Sequence, residues 1–185
     1  MKKIATLLGA FLVLISISCE GPTGPPGIDG ANGENGLTSQ VFELENVDFG
    51  YDASTNLFSY LITFSDFTSF EVLDSDAVLV YRYDGSIEFN NGEVADAWSL
   101  IPQNFFLDQG TIQYSNAHTY ADTELFIDGN FDLSNLDPAF TDNQIFRVVI
   151  VPGSVAAGKM DVSNINSVLN SLGISEENIK TYTLD

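Results

Sequence analysis

From Gln40 onward, short runs rich in apolar, aromatic and β-branched residues are separated at regular intervals by turn residues. The segments Val41 to Phe49, Leu57 to Phe64, Ala77 to Tyr83, Ser86 to Phe89, Ala97 to Ile101, Thr111 to Tyr114, Thr123 to Phe131 and Ile145 to Val151 are rich in Val, Ile, Phe, Tyr and Thr. Runs of that length and content read as strands. Asp84-Gly85, between Tyr83 and Ser86, predicts a two-residue hairpin, because a type I′ turn needs positive φ at both central positions. Asn91-Gly92 and Asp128-Gly129 are weaker turn signals, the second also compatible with a bulge inside a strand. Many short strands with regular punctuation predict a mainly β fold, a sandwich or a barrel, and the expectation taken forward is an antiparallel β-sandwich.

The pattern changes near the C-terminus. Between Asp161 and Gly173, Val162, Ile165, Val168, Leu169 and Leu172 fall on one face at helical spacing, with Asp161 or Ser163 as N-cap and Gly173 as the stop. One helix should therefore close over the sandwich. Ile174 to Ile179 reads as a turn or short second helix, and Lys180 to Leu184 alternates like a last strand pairing at a sheet edge.

Before Gln40 the pattern is of another kind. Lys2 and Lys3 precede an uncharged, mostly apolar run from Ile4 to Ile17, the layout of a secretory signal. The run is shorter than the roughly 20 apolar residues a membrane span needs. It ends in Ile15-Ser16-Ile17-Ser18-Cys19, which resembles the lipobox of bacterial lipoproteins, although Ser16 stands where that motif favours Leu, Val or Ile. The resemblance implies cleavage between Ser18 and Cys19 and a diacylglyceryl group on the Cys19 sulfur. Cys19 is the one cysteine in 185 residues, so it has no internal disulfide partner, and lipidation accounts for it better than redox chemistry does.

Six consecutive Gly-X-Y triplets then run from Gly21-Pro22-Thr23 to Gly36-Leu37-Thr38. That is the period of a collagen triple helix, whose axis admits only glycine. With proline in the Y position only at Pro26, the segment reads first as an extended spacer of roughly 55 Å and second as a stalk that trimerises. The organisation expected is a signal peptide over 1–18, lipidated Cys19 and a collagen-like spacer over 19–39, and one β domain with a C-terminal helix and strand over 40–185.

The lipobox, the run Cys19-Glu20-Gly21-Pro22 with Gly24-Pro25-Pro26-Gly27, and the acidic β-rich remainder together resemble the collagen-like-repeat lipoproteins of the Bacteroidota envelope. The resemblance implies an exported protein held in the cell envelope, at the outer membrane, through a lipid anchor. It implies no mechanism. A dihydrolipoamide dehydrogenase activity, ascribed to some of these lipoproteins, has no support in this chain, which lacks a second cysteine and any Gly-x-Gly-x-x-Gly.

Charge narrows the partners. Once Lys2 and Lys3 are removed, only Arg82, Arg147, Lys159 and Lys180 stand against 26 acidic side chains. Nucleic acid is not an expected partner, since binding it requires a basic footprint. Acidity of this kind serves solubility, or it supplies the several oxygens that a calcium ion takes. The best-spaced oxygens are Asp128, Asn130, Asp132 and Asp137, with Ser134 between them, which resemble the start of an EF-hand-type loop. Leu133 occupies the place of that loop's glycine and Ala139 that of its last acidic residue, so a turn-rich acidic loop reads better, with calcium kept as the only cofactor to consider.

Catalytic chemistry finds little footing. Gly153-x-x-x-x-Gly158-Lys159 follows an apolar strand, but Met160 replaces the hydroxyl that would hold magnesium, so no nucleotide site is expected. His118 is the single histidine, near Ser115, Asn116 and Asp122, with no nucleophile-elbow motif. No catalytic residue is expected and the chain reads as no enzyme. Trp98, Tyr51, Tyr81, Tyr83, Tyr114 and Tyr120 could form a platform for glycan rings, or could equally be core and sheet residues. The function expected is structural, adhesive or ligand-presenting, toward an envelope protein or glycan, with a carbohydrate- or calcium-binding accessory module as the alternative. The protein is expected to be monomeric, or trimeric through its stalk.

Overall fold

A strand that is apolar at nearly every position must be covered on both faces. Ile-Phe-Arg-Val-Val-Ile-Val, residues 145 to 151, is such a strand. In the computed structural model, which describes residues 39–156 and 160–185, every residue of β9 (Gln144–Val151) except Ile145 is buried. It takes the centre of a five-stranded sheet in the order β10 (Lys180–Thr183), β1 (Gln40–Val47), β9, β4 (Ala77–Glu88), β5 (Val94–Leu100). A second five-stranded sheet runs β2 (Gly50–Asp52), β3 (Leu57–Thr63), β8 (Asp122–Gly129), β7 (Gly110–His118), β6 (Gln103–Leu107). The fold is mainly β with few helices. The described residues belong to one compact unit, Asn35–Asp185.

Alternation along each strand sorts the side chains between the two faces. Phe42, Leu44, Phe146, Val148 and Ile150 of the first sheet share one core cluster with Phe58, Ile62, Ile112, Tyr114, Leu125 and Ile127 of the second, giving a sandwich-like arrangement. Each such side chain contributes roughly 1.5–3 kcal/mol by leaving water. The other face of the first sheet carries Val41, Tyr81, Val149 and Val151, and these are covered by Ile165, Val168 and Leu169 of the helix α2 (Ile165–Leu172), which follows a four-residue helix α1 (Gly153–Ala156). The α2 stripe at positions i, i+3 and i+4 is the amphipathic face such a helix must bury. Gly173 ends it in the left-handed region at φ 67°, a conformation that costs glycine nothing. Tyr81 fastens the approach to the helix by donating its hydroxyl to the Val162 carbonyl at 2.6 Å.

Four expectations change. Asp84-Gly85 is no hairpin turn: β4 runs through it, with the register against β5 shifting between Tyr83 and Gly85. A glycine at φ +105° serves a bulge as well as a turn, and the Asp84 carboxylate there accepts from Arg82 at 2.8 Å, from Ser99 and from Gln103. The chain reverses later, at Asn91-Gly92, where Phe89 donates its amide to the Glu93 carbonyl at 2.8 Å. The sheets are also not purely antiparallel. The helical connection from β9 carries the chain past β1 to its outer edge, so β10 runs antiparallel to β9 and parallel to β1, with Phe42 opposite Lys180. Third, β2 and β6 are additional strands, and Thr111 to Tyr114 is the first half of a longer one, β7. Fourth, the N-cap of α2 is Asn164, whose side chain accepts from the Ser167 amide at 3.2 Å, while Asp161 closes a turn onto Ser163 instead.

The sandwich has two distinct ends. Gln40, the first residue of β1, pairs with Ile150, and its side-chain amide donates to the Phe67 carbonyl at 2.8 Å. Thr63, Asp122 and His118 lie at this near end by register. The β6–β7 turn, the β4–β5 turn and the segment from Asn130 to Phe140 lie at the far end. The signal peptide (1–18), Cys19 and the triplets to Thr38 lie outside the described residues. Among the described residues no helix is long and apolar enough to cross a membrane.

Candidate functional site

Two consecutive phenylalanines in a strand cannot both face the core, because successive side chains alternate across the sheet. In β6, Phe105 points inward, where its ring meets Tyr114 at 5.6 Å and Phe140 at 5.5 Å. Phe106 therefore points out, and it is 84% exposed. Beside it a cleft of about 730 Å³ opens between the β6–β7 turn and the Asn130–Phe140 segment, lined by Phe106, Leu107, Asp108, Gln109, Phe131, Asn135, Leu136, Asp137, Pro138 and Phe140. That volume falls within the range of ordinary small-ligand sites.

The second wall is held by side chains that replace a missing ladder. Asn56, itself at positive φ, donates from Nδ2 to the Phe131 carbonyl at 2.9 Å, while its Oδ1 accepts from the Leu133 amide at 2.8 Å and from the Tyr51 hydroxyl at 3.1 Å. Asn130 Oδ1 accepts from the Thr111 amide at 2.8 Å. Leu133 is buried beneath. Asp132 and Asp137 start two short 3₁₀ turns, Leu133–Asn135 and Pro138–Phe140, by accepting from the amides of Ser134 and Ala139. The bond from the Ser134 amide, followed by one from its side chain, lowers the Asp132 pKa below its ordinary value. Gly110 joins the two walls: any side chain there would run into the Asn130 amide and the Phe131 ring.

Beneath the cleft lies a polar network between the sheets. The Arg82 guanidinium donates to Gln144 Oε1 at 2.8 Å and to Asp84 at 2.8 Å, and stands 4.8 Å from the Tyr114 ring centroid and 5.2 Å from that of Phe105. Tyr114 donates its hydroxyl to the Phe140 carbonyl at 2.5 Å. Burial pushes the Tyr114 phenol up to about 12, with the Asp84 charge adding to the rise and the Arg82 charge opposing it. The phenol therefore stays a donor at neutral pH and holds Phe140 at the cleft floor. A second arginine, Arg147, is paired with Glu43 at 2.8 Å and Glu176 at 3.1 Å and lies 4.1 Å from the Trp98 ring centroid, on the helix-bearing side of the first sheet.

Of the oxygen-bearing residues singled out in the sequence, Asp137 lines this cleft, and Asn130 and Asp132 brace the segment that forms its second wall. Asp128 accepts from the Gly129 amide, Asn130 from Thr111, Asp132 from Ser134 and Asp137 from Ala139, so each spends an oxygen on a main-chain amide. Among the described residues no group of three or more His, Cys, Asp or Glu side chains is placed to hold a metal ion. Ser18 and Cys19 lie outside the described residues, as do Gly158 and Lys159. Gly153 begins α1, and its missing Cβ makes room for the Ser75 main chain. His118 ends β7 at the near end, where Asp122 accepts from Thr119 at 2.7 Å.

The aromatic residues named in the sequence do not form one platform. Tyr81 and Tyr114 are buried, Tyr51 packs on Phe58 at 4.9 Å, and Tyr120 is exposed. Tyr83 and Trp98 form a pair at 5.2 Å, as β4 and β5 partners. The rings that converge are Phe106, Phe131 and Phe140. The Phe105-Phe106 doublet was their available signal, since one ring of such a pair must face outward once Gln103–Leu107 is a strand. Comparison with known proteins gives no match, neither to a family model, nor to a curated protein, nor to a solved structure.

Proposed function

We propose that the protein is a lipid-anchored lipoprotein of the cell envelope, at the outer membrane, presenting its β-sandwich domain on a short collagen-like stalk in a structural, adhesive or ligand-presenting role. The observation that carries this reading is the sequence of segments: a basic n-region, an apolar run, Cys19 directly after Ser18, six unbroken triplets, and then, from Gln40, a strand that begins a folded core. One acyl chain holds a protein only marginally at a membrane, whereas a multiply acylated cysteine holds it stably. The anchor is tested by growing a bacterial host expressing the full chain with an alkyne fatty acid and visualising the label after coupling to a fluorophore. The wild type is labelled and sediments with membranes, and Cys19→Ser is neither. Equal labelling of both proteins would sink the reading.

A second reading, a carbohydrate-binding accessory module, is favoured by one specific feature. The far-end cleft sets an exposed aromatic ring beside carboxylates and amides, at the end of the domain opposite Gln40.

A further inference from the structure

We propose that the far-end cleft binds a neutral saccharide, stacked on the ring of Phe106 and hydrogen-bonded by Asp108, Asn135 and Asp137. The proposal rests on the accessory-module reading and goes further by naming the site and the ligand class. A sugar ring has one apolar face of C–H groups and a rim of hydroxyls. It therefore needs a flat apolar surface with hydrogen-bonding groups at the side, an arrangement that neither an apolar ligand nor a simple ion requires.

The cleft supplies both parts. Phe106 belongs to neither core cluster and shows 84% of its surface, whereas Phe131 and Phe140, in the same cleft, are packed against the core. Asp108 accepts no side-chain hydrogen bond from any other described residue, and Asp137, which lines the cleft, spends Oδ1 on the Ala139 amide and leaves Oδ2 without a partner among the described residues. Both carboxylates, in a chain of net charge −20, would oppose an anionic sugar and can accept from the hydroxyls of a neutral one. The walls are already fixed by Asn56 and Asn130, so little ordering remains to be done on binding.

The test is native affinity electrophoresis of the full-length protein, purified in a detergent without a sugar headgroup, in gels cast with a β-linked glucan, a xylan, an α-linked glucan or polygalacturonate. Retardation by at least one neutral polymer and none by polygalacturonate is expected. Phe106→Ala should weaken the interaction about tenfold with an unchanged thermal midpoint. Phe89→Ala, on the β4–β5 turn and outside the cleft, should bind as the wild type does. The proposal is overturned by no retardation in any neutral polymer, by equal retardation in polygalacturonate, or by equal losses in the Phe106 and Phe89 variants. Saccharide binding that survives Phe106→Ala overturns the site but keeps the accessory-module reading. None of these outcomes touches the Cys19 labelling result.

Discussion

Hollows of comparable size sit at the two ends of the domain, and they use their aromatic rings in opposite ways. At the near end a hollow of about 530 Å³ is bordered by Phe67, Phe70 and Tyr182. Its rings are spent on one another: Phe42 stacks on Phe67 at 5.2 Å, and Tyr182 stands edge-on to Phe67 at 5.0 Å. The Phe67 carbonyl takes bonds from both Gln40 and Tyr182, and Lys180 lies 4.6 Å from the Tyr182 ring centroid. At the far end Phe140 is spent in the same way on Phe105, but Phe106 is left bare. A hollow whose rings already have partners is a consequence of packing. The far-end hollow differs in keeping one ring, Phe106, outside both core clusters.

The sharpest way to break this contrast is to remove a near-end ring. Phe42 is fully buried, and Phe42→Ala leaves a cavity shared with Phe67 and Tyr182. Such a loss costs about 3–5 kcal/mol, read as a fall in the urea midpoint at constant slope. A fall below about 1 kcal/mol would mean that the near end collapses around the gap and is not the stability-bearing end.

Next in size is the joint that forms the far cleft. Gly110→Ala drives a Cβ into Asn130 and Phe131 at φ +150° and should cost about 1–3 kcal/mol. Asn56→Ala leaves the Leu133 amide without its side-chain acceptor and the Phe131 carbonyl without its donor, for about 1–3 kcal/mol. Both losses should appear first as faster amide exchange at residues 130 to 137, ahead of any change at residues 40 to 44. Simultaneous loosening of both ends would show that the cleft wall has no independence from the core.

Alkaline pH probes the same contrast more gently. Burial pushes Tyr114 and Tyr81 up to about 12 from the ordinary 10.0. A raised folded-state pKa means that the stability both phenols contribute is fully present below pH 10 and is lost as pH climbs from 10 toward 12. Denaturation midpoints measured from pH 8 upward should hold to about pH 10 and then fall. Tyr114→Phe and Tyr81→Phe together should flatten that fall. At neutral pH each change removes one hydrogen bond to a carbonyl, for about 1 kcal/mol.

What could be read from the sequence followed the strength of local signals. The nearly continuous apolar run ending at Val151, broken only by Arg147, and the helical stripe of Ile165, Val168 and Leu169 are long-range commitments written locally, and both appear where the sequence put them. Asp84-Gly85 misled because positive φ at glycine marks a turn and a bulge alike; only the pairing of Gly85 with Ala97 separates the two. The parallel edge strand was not legible, because direction depends on where the helical connection lands. The candidate site was half visible. The oxygen spacing from Asp128 to Asp137 was seen, but its use in caps and turns depends on Asn56, more than seventy residues upstream. The exposed ring depended on recognising Gln103–Leu107 as a strand.

The smallest expected effect is the most informative one. Phe106→Ala removes a ring that is 84% exposed and absent from both core clusters, so its effect on the denaturation midpoint should stay within about 0.5 kcal/mol. Set beside Phe42→Ala, the same chemical truncation would then differ by several kcal/mol between the two ends of one sandwich. A loss above about 1 kcal/mol for Phe106→Ala would mean that the ring shields the β6–β7 turn, and the far cleft would be a packing hollow like its near-end counterpart. No loss leaves a large apolar side chain held in water on a rigid strand at no benefit to the fold. Single exposed rings are ordinary on a protein surface, so it is the cleft beside Phe106, and the saccharide gels that probe it, that decide whether this exposure has a use.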